Sequence, residues 1–268
     1  IFFWVARMIV AGYEYRDEMP FKNVYFTGIV RDKQRRKMSK SLGNSPDPIE
    51  LMKQYGADGV RAGMLFSAPA GNDLLFDEKL CEQGRNFSNK LWNAFRLIKT
   101  LEVTDEGKDQ SLTTDWINSR FNEVLNEVED HFSKYRISDA LLSLYTFIWD
   151  DFCSWYLEII KDNSISDKTY KGTLAVLDKI LKTLHPFMPF ITEELWNQID
   201  DDRSYIMLSD YPSPEKFDDS LNNDFKKIFE IVTGLRKLKS DNKIKQIDVV
   251  EVMVNKKSEF DFIKYRDL

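Results

Sequence analysis

The chain has 268 residues, 43% of them apolar and 13% aromatic, with a net charge of −6. That length suits two domains, or one domain with pieces of another, and that apolar content is enough for substantial buried cores. The negative balance excludes a general polyanion binder, because sequence-independent nucleic-acid affinity comes from many Lys and Arg contacts to phosphate; the two cysteines, Cys81 and Cys153, exclude a disulfide framework and a CxxC metal knuckle.

So few cysteines fit a reducing compartment, and a cytoplasmic protein is expected. The chain starts on the apolar Ile1 without an initiator Met, so it is expected to be cut from inside a longer protein. Residues 1–11 are apolar but interrupted by Arg7, lack a basic leader region and are too short to span a membrane. They predict a buried helix ended by Gly12. Residues 23–30 (NVYFTGIV) are β-branched and aromatic, which predicts a buried strand. A basic loop follows over residues 31–44. Asp47-Pro48 then opens a helix, with Asp as N-cap and Pro in the first turn. Tyr55-Gly56 breaks it, and a second helix is predicted over 57–66.

Residues 85–200 carry helical periodicity and no strand signal. A first helix is predicted over 87–101. Over 115–137, Ile117, Phe121, Val124, Leu125, Val128, Phe132 and Tyr135 recur in steps of three and four, on one helix face. Ser138 is a suitable N-cap for a helix to about residue 161, apolar nearly all round and so predicted to sit at the centre of a bundle. A further helix over 170–184 ends at His185-Pro186, and Thr192 is read as the cap of a short one over 193–199. Residues 217–239 predict a basic helix and 247–254 (IDVVEVMV) a strand, the start of a small α/β unit.

The most informative stretch is Lys37-Met38-Ser39-Lys40-Ser41. It follows a predicted strand and precedes a proline-started helix, so it lies on a loop at the carboxyl end of a strand, where open α/β sheets bind ligands. Two lysines three residues apart offer mobile ammonium groups, and small neighbours leave backbone N–H groups accessible. Such a loop suits a triphosphate whose pyrophosphate gains charge as it leaves.

RRKMSKSLGN (35–44) resembles the second signature of the class I aminoacyl-tRNA synthetases. The resemblance extends to FFWVARMI (2–9), PFKNVYFTGIVRD (20–32), YGADGVR (55–61), GNDLLFDE (71–78), GRNFSNKLWNAFR (84–96), WDDFCSWYLEIIK (149–161) and LHPFMPFITEELW (184–196). These look like the valyl-tRNA synthetase family; the isoleucyl and leucyl families share the loop and the bundle but differ around residues 2–9 and 86–96. The resemblance implies a mixed fold. Residues 1–84 would be the end of a Rossmann catalytic domain with a connecting segment, 85–215 an all-α anticodon-binding bundle, and 216–268 the start of a small α/β unit. It implies ATP, with Mg2+, as substrate of the parent, alongside valine and valine tRNA. Lys40 would contact ATP and Lys37 assist, with Met38, Ser39 and Ser41 completing the loop and Gly43 and Asn44 shaping it. It implies no resident metal, no membrane and a monomeric parent.

The family's HIGH signature is absent, since the only histidines are His131 and His185, each inside a predicted helix. The chain alone is therefore expected to be inactive. A stand-alone synthetase-derived tRNA-binding module and an isoleucyl or leucyl enzyme are the other readings; a start inside a catalytic-domain helix weighs against the first, and the residues preceding Ile1 would discriminate all three.

Arg85, Asn86, Asn89, Lys90, Asn93 and Arg96 crowd one helix with groups able to read splayed bases, which points to tRNA contact; the alternative is a solvated helix face. The seven basic residues within 226–245 are likewise either a solvated face or a phosphate contact. His131 reads as structural or exposed and His185 as a helix C-cap near the dipole. Trp149, Trp155 and Trp196 read as core, and Asp150 and Asp151 diverge too far on a helix to act as an acid/base pair.

Overall fold

The structure, a computed structural model, describes residues 2–68, 72–161, 164–200, 202–245, 248, 260–261 and 264–265. It begins with an exposed helix, α1 (Phe2–Arg16), of which no residue is buried; Phe2, Trp4, Val10 and Tyr15 all face solvent. The expected burial is thus corrected, because apolar side chains become core only where another surface covers them, and among the described residues none does. The helix also runs through Gly12, since one glycine costs a helix only about 1 kcal/mol relative to alanine.

The strand expected at 23–30 shrinks to β1 (Val30–Arg31), which pairs in parallel with β2 (Leu74–Leu75) in the register Val30 to Leu74 and Arg31 to Leu75. A strand exists through hydrogen bonds to a neighbour. Among the described residues no strand lies alongside residues 23–28, and Val24, Tyr25 and Phe26 are exposed. Between β1 and β2 lie α2 (Pro48–Tyr55), capped by the Asp47 carboxylate on Ile49 N–H as expected, and α3 (Ala57–Phe66). Under them, Leu51, Tyr55, Leu74, Phe76 and Cys81 form a small core.

Cys81 belongs to α4 (Glu78–Lys99), which crosses residues 84 and 85 without a break and contributes Phe87, Leu91, Phe95 and Ile98 to a second, larger core. The joint between α3 and α4 depends on glycine. A Cβ on Gly63 would lie 2.6 Å from the Cys81 nitrogen, and one on Gly84 2.4 Å from the Gly59 oxygen. Backbone meets backbone here, with no side chain as cushion.

The larger core is a helical bundle: α5 (Ser111–Ser133), α6 (Ile137–Thr146), a π-helical segment (Phe147–Tyr156), α7 (Leu157–Ile160), α8 (Asp167–Leu184), α9 (Pro189–Ile199) and α10 (Asp219–Asp241). Each fully buried Leu, Ile or Phe here contributes roughly 1.5–3 kcal/mol of transfer free energy. The helix read as central is central: Leu141, Leu144, Phe147, Ile148, Phe152 and Tyr156 are all fully enclosed. Its middle is over-wide. Leu157 N–H reaches back five residues to Phe152 O, and the Ser154 hydroxyl donates to Trp149 O at 2.8 Å. The Tyr156 hydroxyl is satisfied inside the core by Thr173 Oγ1 at 2.7 Å and Thr114 Oγ1 at 3.2 Å.

Several local readings change. α5 stops at Ser133, and Tyr135 takes a left-handed φ of 58°, so Tyr135 lies outside that helix and is exposed, whereas Phe132, in its last turn, is only partly covered and lies against Phe187 at 5.9 Å. Ser138 is not a cap: it lies in the first turn of α6, and its hydroxyl donates to Leu65 O at 2.7 Å on α3. Thr192 also lies inside its helix, buried, donating to Met188 O at 2.8 Å. Residues 85–200 do hold a strand, β3 (Val103–Lys108), which bridges to Ile165; Ile165 N–H donates to Glu102 O and Lys108 N–H to Ser164 O. The strand expected at 247–254 lies, but for Asp248, outside the described residues.

Candidate functional site

The signature loop is built on Asp32. This residue is the one acid within residues 31–40, and it follows β1 directly. Its carboxylate accepts from Gln34 N–H at 3.0 Å, Arg36 N–H at 2.9 Å, Arg36 Nε at 2.8 Å and Asn44 Nδ2 at 3.0 Å. Asn44 in turn accepts Ser39 N–H on Oδ1 at 3.0 Å and donates to Lys37 O at 3.3 Å. One carboxylate and one amide therefore close both ends of the loop. Ser39 Oγ caps a 3-10 turn over Lys40–Leu42 by accepting Leu42 N–H, and Gly43 ends that turn at φ 61°, a left-handed value that suits glycine.

This scaffold sorts the five signature residues. Met38 turns toward the small core, and its N–H donates to Val30 O at 3.1 Å. Ser39 and Ser41 have their hydroxyls 3.2 Å apart, so both are partly used within the loop. Lys37 and Lys40 remain exposed on either side of Ser39. Arg31 pairs with Asp73, Lys33 with Asp77 at 3.1 Å and Arg36 with Asp32 at 2.7 Å. Of the six cations in this run, Arg35, Lys37 and Lys40 have no ion pair among the described residues. Lys37 and Lys40 are thus exposed ammonium groups on a loop in which Ser39, Ser41 and Asn44 are internally engaged. A cleft of about 500 Å³ adjoins the loop, lined in part by Asp32, Arg36, Met38, Asn44, Tyr55 and Glu82 and by neither Lys37 nor Lys40.

The hydrogen bond from Asn44, followed by those from Arg36, lowers the Asp32 pKa from its ordinary 3.8 to about 2. A depressed carboxylate pKa stabilises the fold at pH above the unfolded value, and that contribution disappears as pH falls through the folded one. The Asp32 carboxyl should therefore titrate near 2 by carbon-detected NMR, and Asn44→Ala should move its midpoint back toward 3.8. A wild-type midpoint at the ordinary value would show that Asn44 does not brace the loop in solution.

The six polar residues proposed on α4 divide. Asn86, Asn89, Asn93 and Arg96 are exposed in one row at spacings of three and four, opposite the buried Phe87, Leu91, Ala94 and Phe95. Arg85 and Lys90 flank that row and are half-buried. Arg85 lies over the Tyr55 ring at 5.7 Å and pairs with Glu82 at 3.8 Å; Lys90 lies over the Trp149 ring at 5.3 Å. Trp149, half-buried, also stacks on Tyr145 at 5.5 Å. Trp155 lies face to face with Phe229 at 4.0 Å, and buried Trp196 donates through Nε1 to Ser204 O at 2.8 Å.

The basic run on α10 is partly spent internally. Arg236 lies over Trp155 at 5.5 Å and Lys239 donates to Asp248 O at 2.6 Å. Lys226 and Lys237 rim a cleft of about 860 Å³ that also holds Arg120, Glu123, Glu127, Asp151 and Glu230. Arg120 bridges Asp151 at 2.9 Å and Glu123 at 2.8 Å, so Asp151 is a structural ion-pair partner, its pKa raised by burial. His185 does end α8, but its Nδ1 bonds Thr192 Oγ1 at 2.8 Å and burial lowers its pKa, which disfavours the charged form a dipole would hold. His131 is half-buried in α5.

Three residues escaped the sequence reading. Asp32 had a visible signal, a lone acid in a basic run. Asp58 and Arg61 had none, because their partners lie more than 120 residues away. Asp58, only 6% exposed, accepts Ile191 N–H at 2.6 Å, and Arg61 donates to Phe187 O at 3.1 Å.

Residues 1–77 match the family described as tRNA synthetases class I (I, L, M and V), and residues 114–254 match the anticodon-binding domain of tRNA ligase. The row on α4 falls between the two. Valine–tRNA ligase of Christiangramia forsetii is 55% identical over 91% of this chain and 29% of its own length. That of Phocaeicola vulgatus is 54% identical over 95% and 30%, and that of Fusobacterium nucleatum 42% identical over 95% and 31%. The chain thus spans about 30% of the length of the curated relatives it matches. In fold it is similar to a LeuRS of Agrobacterium radiobacter K84, solved as a ternary complex with tRNA and LeuAMS, at a TM-score of 0.60 and 19% identity, covering 81% of this chain and 27% of that one. It is also similar to Mycobacterium tuberculosis methionyl-tRNA synthetase in complex with methionyl-adenylate, at a TM-score of 0.54 and 19% identity, covering 80% and 45%. More than half of the sequence lies within one of these matches, and the chain belongs to the anticodon-binding-domain family of the tRNA ligases.

Proposed function

We propose that this chain is the ATP-loop and anticodon-binding part of a cytoplasmic valine–tRNA ligase. The observation that carries the reading is the loop itself: two lysines without ion pairs among the described residues, on a scaffold braced by Asp32 and Asn44, joined through α2 and α3 to a helical bundle. The relatives named valine–tRNA ligase support the amino acid. In the activation step, a carboxylate oxygen of valine displaces pyrophosphate from the α-phosphorus of ATP and forms valyl-adenylate. Lys40, assisted by Lys37, meets the charge that grows on the departing pyrophosphate, and because that charge is greatest in the transition state, the contact favours rate over binding. A ribose hydroxyl of the tRNA then takes the valyl group and AMP leaves. Mg2+ would arrive with ATP; among the described residues no three His, Cys, Asp or Glu side chains converge to hold a metal.

The tRNA would be read by the exposed row of Asn86, Asn89, Asn93 and Arg96, with Arg85 and Lys90 beside it and Trp149 as an adjoining ring. Amide groups can pair with base edges, and single-stranded bases stack on aromatic and guanidinium planes. Phosphate contacts supply affinity and weaken with salt, whereas base contacts supply selectivity. Titration of the chain with valine tRNA and with a tRNA of altered anticodon, at two salt concentrations, should show weak binding that falls with salt. The preference for valine tRNA should persist at roughly tenfold, about 1.4 kcal/mol. Equal affinities for the two RNAs would return the row to an ordinary solvated face.

A further inference from the structure

The segment YGADGVR carries a clamp between α3, which follows the ATP-loop side of the chain and itself places Ala62 in the bundle core, and the turn between α8 and α9. Gly56 turns the backbone at φ 75°, α3 begins at Ala57, and Asp58 and Arg61 follow one turn apart on one face. That face meets the turn between α8 and α9. The Asp58 carboxylate accepts Phe190 N–H at 3.3 Å and Ile191 N–H at 2.6 Å, in the first turn of α9. One turn on, the Arg61 guanidinium donates to Pro186 O at 3.0 Å and Phe187 O at 3.1 Å. A carboxylate thus takes the donors of a helix start, and a guanidinium takes the carbonyls just before it. At the far end of α3, the Ser138 hydroxyl holds Leu65 O.

A helix start needs acceptors for its first N–H groups, and a local Ser, Thr, Asp or Asn ordinarily provides one. The residue in that position for α9 is Met188, whose side chain makes no cap. The acceptor comes instead from α3, as a buried carboxylate whose pKa burial raises. Burying a charge is an expensive way to gain stability alone, since a local neutral cap would supply the hydrogen bond without the desolvation cost. What the remote carboxylate adds is orientation, because α9 is satisfied only when it sits at one angle to α3. α3 in turn locks to α4 through Gly63 and Gly84.

We propose that Asp58 and Arg61 are positioning residues that set the angle between the ATP-loop segment and the tRNA-binding bundle, and so control transfer of valine to tRNA rather than its activation. The proposal rests on the ligase reading above. Activation uses only small substrates at the loop side. Transfer needs one tRNA held by the bundle and presented to the adenylate, so an error in angle is felt there.

The test uses the full ligase containing this sequence, with D58A, D58N and R61A variants. Valine-dependent pyrophosphate exchange should stay within about twofold. For D58A and R61A, kcat for tRNA charging should fall tenfold or more while KM for tRNA changes less than about threefold. D58N keeps one acceptor oxygen and should recover part of the loss. Proportional losses in exchange and charging, or no loss in either, overturn the proposal. Should D58A lose its cooperative melting transition, R61K decides on the same two rates. Spin labels at Gln34 and Gln198 give a readout independent of catalysis: D58A should broaden the distance distribution, and an unchanged distribution also overturns the proposal. Absence of valine-dependent exchange in the wild-type protein would sink the ligase reading alone, leaving the clamp to be judged on the distances.

Discussion

Lys40→Ala, made in the ligase proposed to contain this chain, is expected to slow valine activation by roughly 30- to 900-fold, corresponding to about 2–4 kcal/mol of transition-state stabilisation. The expectation follows from where the loop puts its charges. Arg31, Lys33 and Arg36 are engaged by Asp73, Asp77 and Asp32, whereas Lys40 is exposed with no ion pair among the described residues. Removing it breaks no internal contact of the loop, so stability should move by no more than about 0.5 kcal/mol, as for an ordinary surface site. The braces that hold the loop, Asp32 to Asn44 and Asn44 to Ser39, remain in place. Valine binding should change less than threefold, since the charge contact matters mainly as pyrophosphate leaves. Rapid-quench measurement of adenylate formation at saturating ATP over a range of valine concentrations separates the two quantities, the plateau giving the rate constant and the half-saturation point the binding. A rate constant within about threefold of wild type would show that Lys40 does not serve the leaving group.

The largest effect on stability is expected from Trp116→Ala. Trp116 is 2% exposed on α5, stacks on Phe225 of α10 at 4.6 Å with an interplanar angle of 7°, and meets the edge of Phe229 at 5.0 Å. Truncating a buried Trp removes its transfer free energy and leaves a cavity that a close-packed core cannot fully collapse into, typically about 3–5 kcal/mol. In a protein of this size that lowers Tm by very roughly 6–20 °C. The loss should be uneven. α10 is anchored by Leu221 and Phe225, so its amides should exchange faster than those of α5 and α8. Calorimetry together with amide exchange reads both effects, and a destabilisation below about 1 kcal/mol would mean that α10 does not dock on Trp116 in solution. Lys40→Ala and Trp116→Ala thus form opposite controls, one acting on rate and the other on stability.

Much of this architecture was legible in the sequence. The helices of the bundle announce themselves through apolar spacing, because a helix that buries one face must repeat every three or four residues whatever it packs against. The Asp47-Pro48 start and the loop from Lys37 to Ser41 were equally local: N-capping and a run of small and basic residues are decided within a few positions. The row from Asn86 to Arg96 could be placed on one helix, though only packing showed that Arg85 and Lys90 are drawn aside by Tyr55 and Trp149.

What the sequence could not settle were properties that belong to pairs of distant segments. Residues 2–11 are apolar but for Arg7, and residues 24–27 are all β-branched or aromatic. Burial and pairing require a second surface, which these segments do not find among the described residues. Ser138 and Thr192 have the chemistry of caps, yet both are helical; Ser138 reaches Leu65 on α3 and Thr192 bonds within its own turn and to His185. A hydroxyl can satisfy any carbonyl within reach, and tertiary structure decides which one is near. The same reason hid Asp58 and Arg61. Composition and periodicity along the chain determined which segments become helices and which loop carries the lysines. The fold alone determined that a carboxylate early in the chain would cap a helix near residue 190, because a hydrogen bond depends on distance in space and not on separation in sequence.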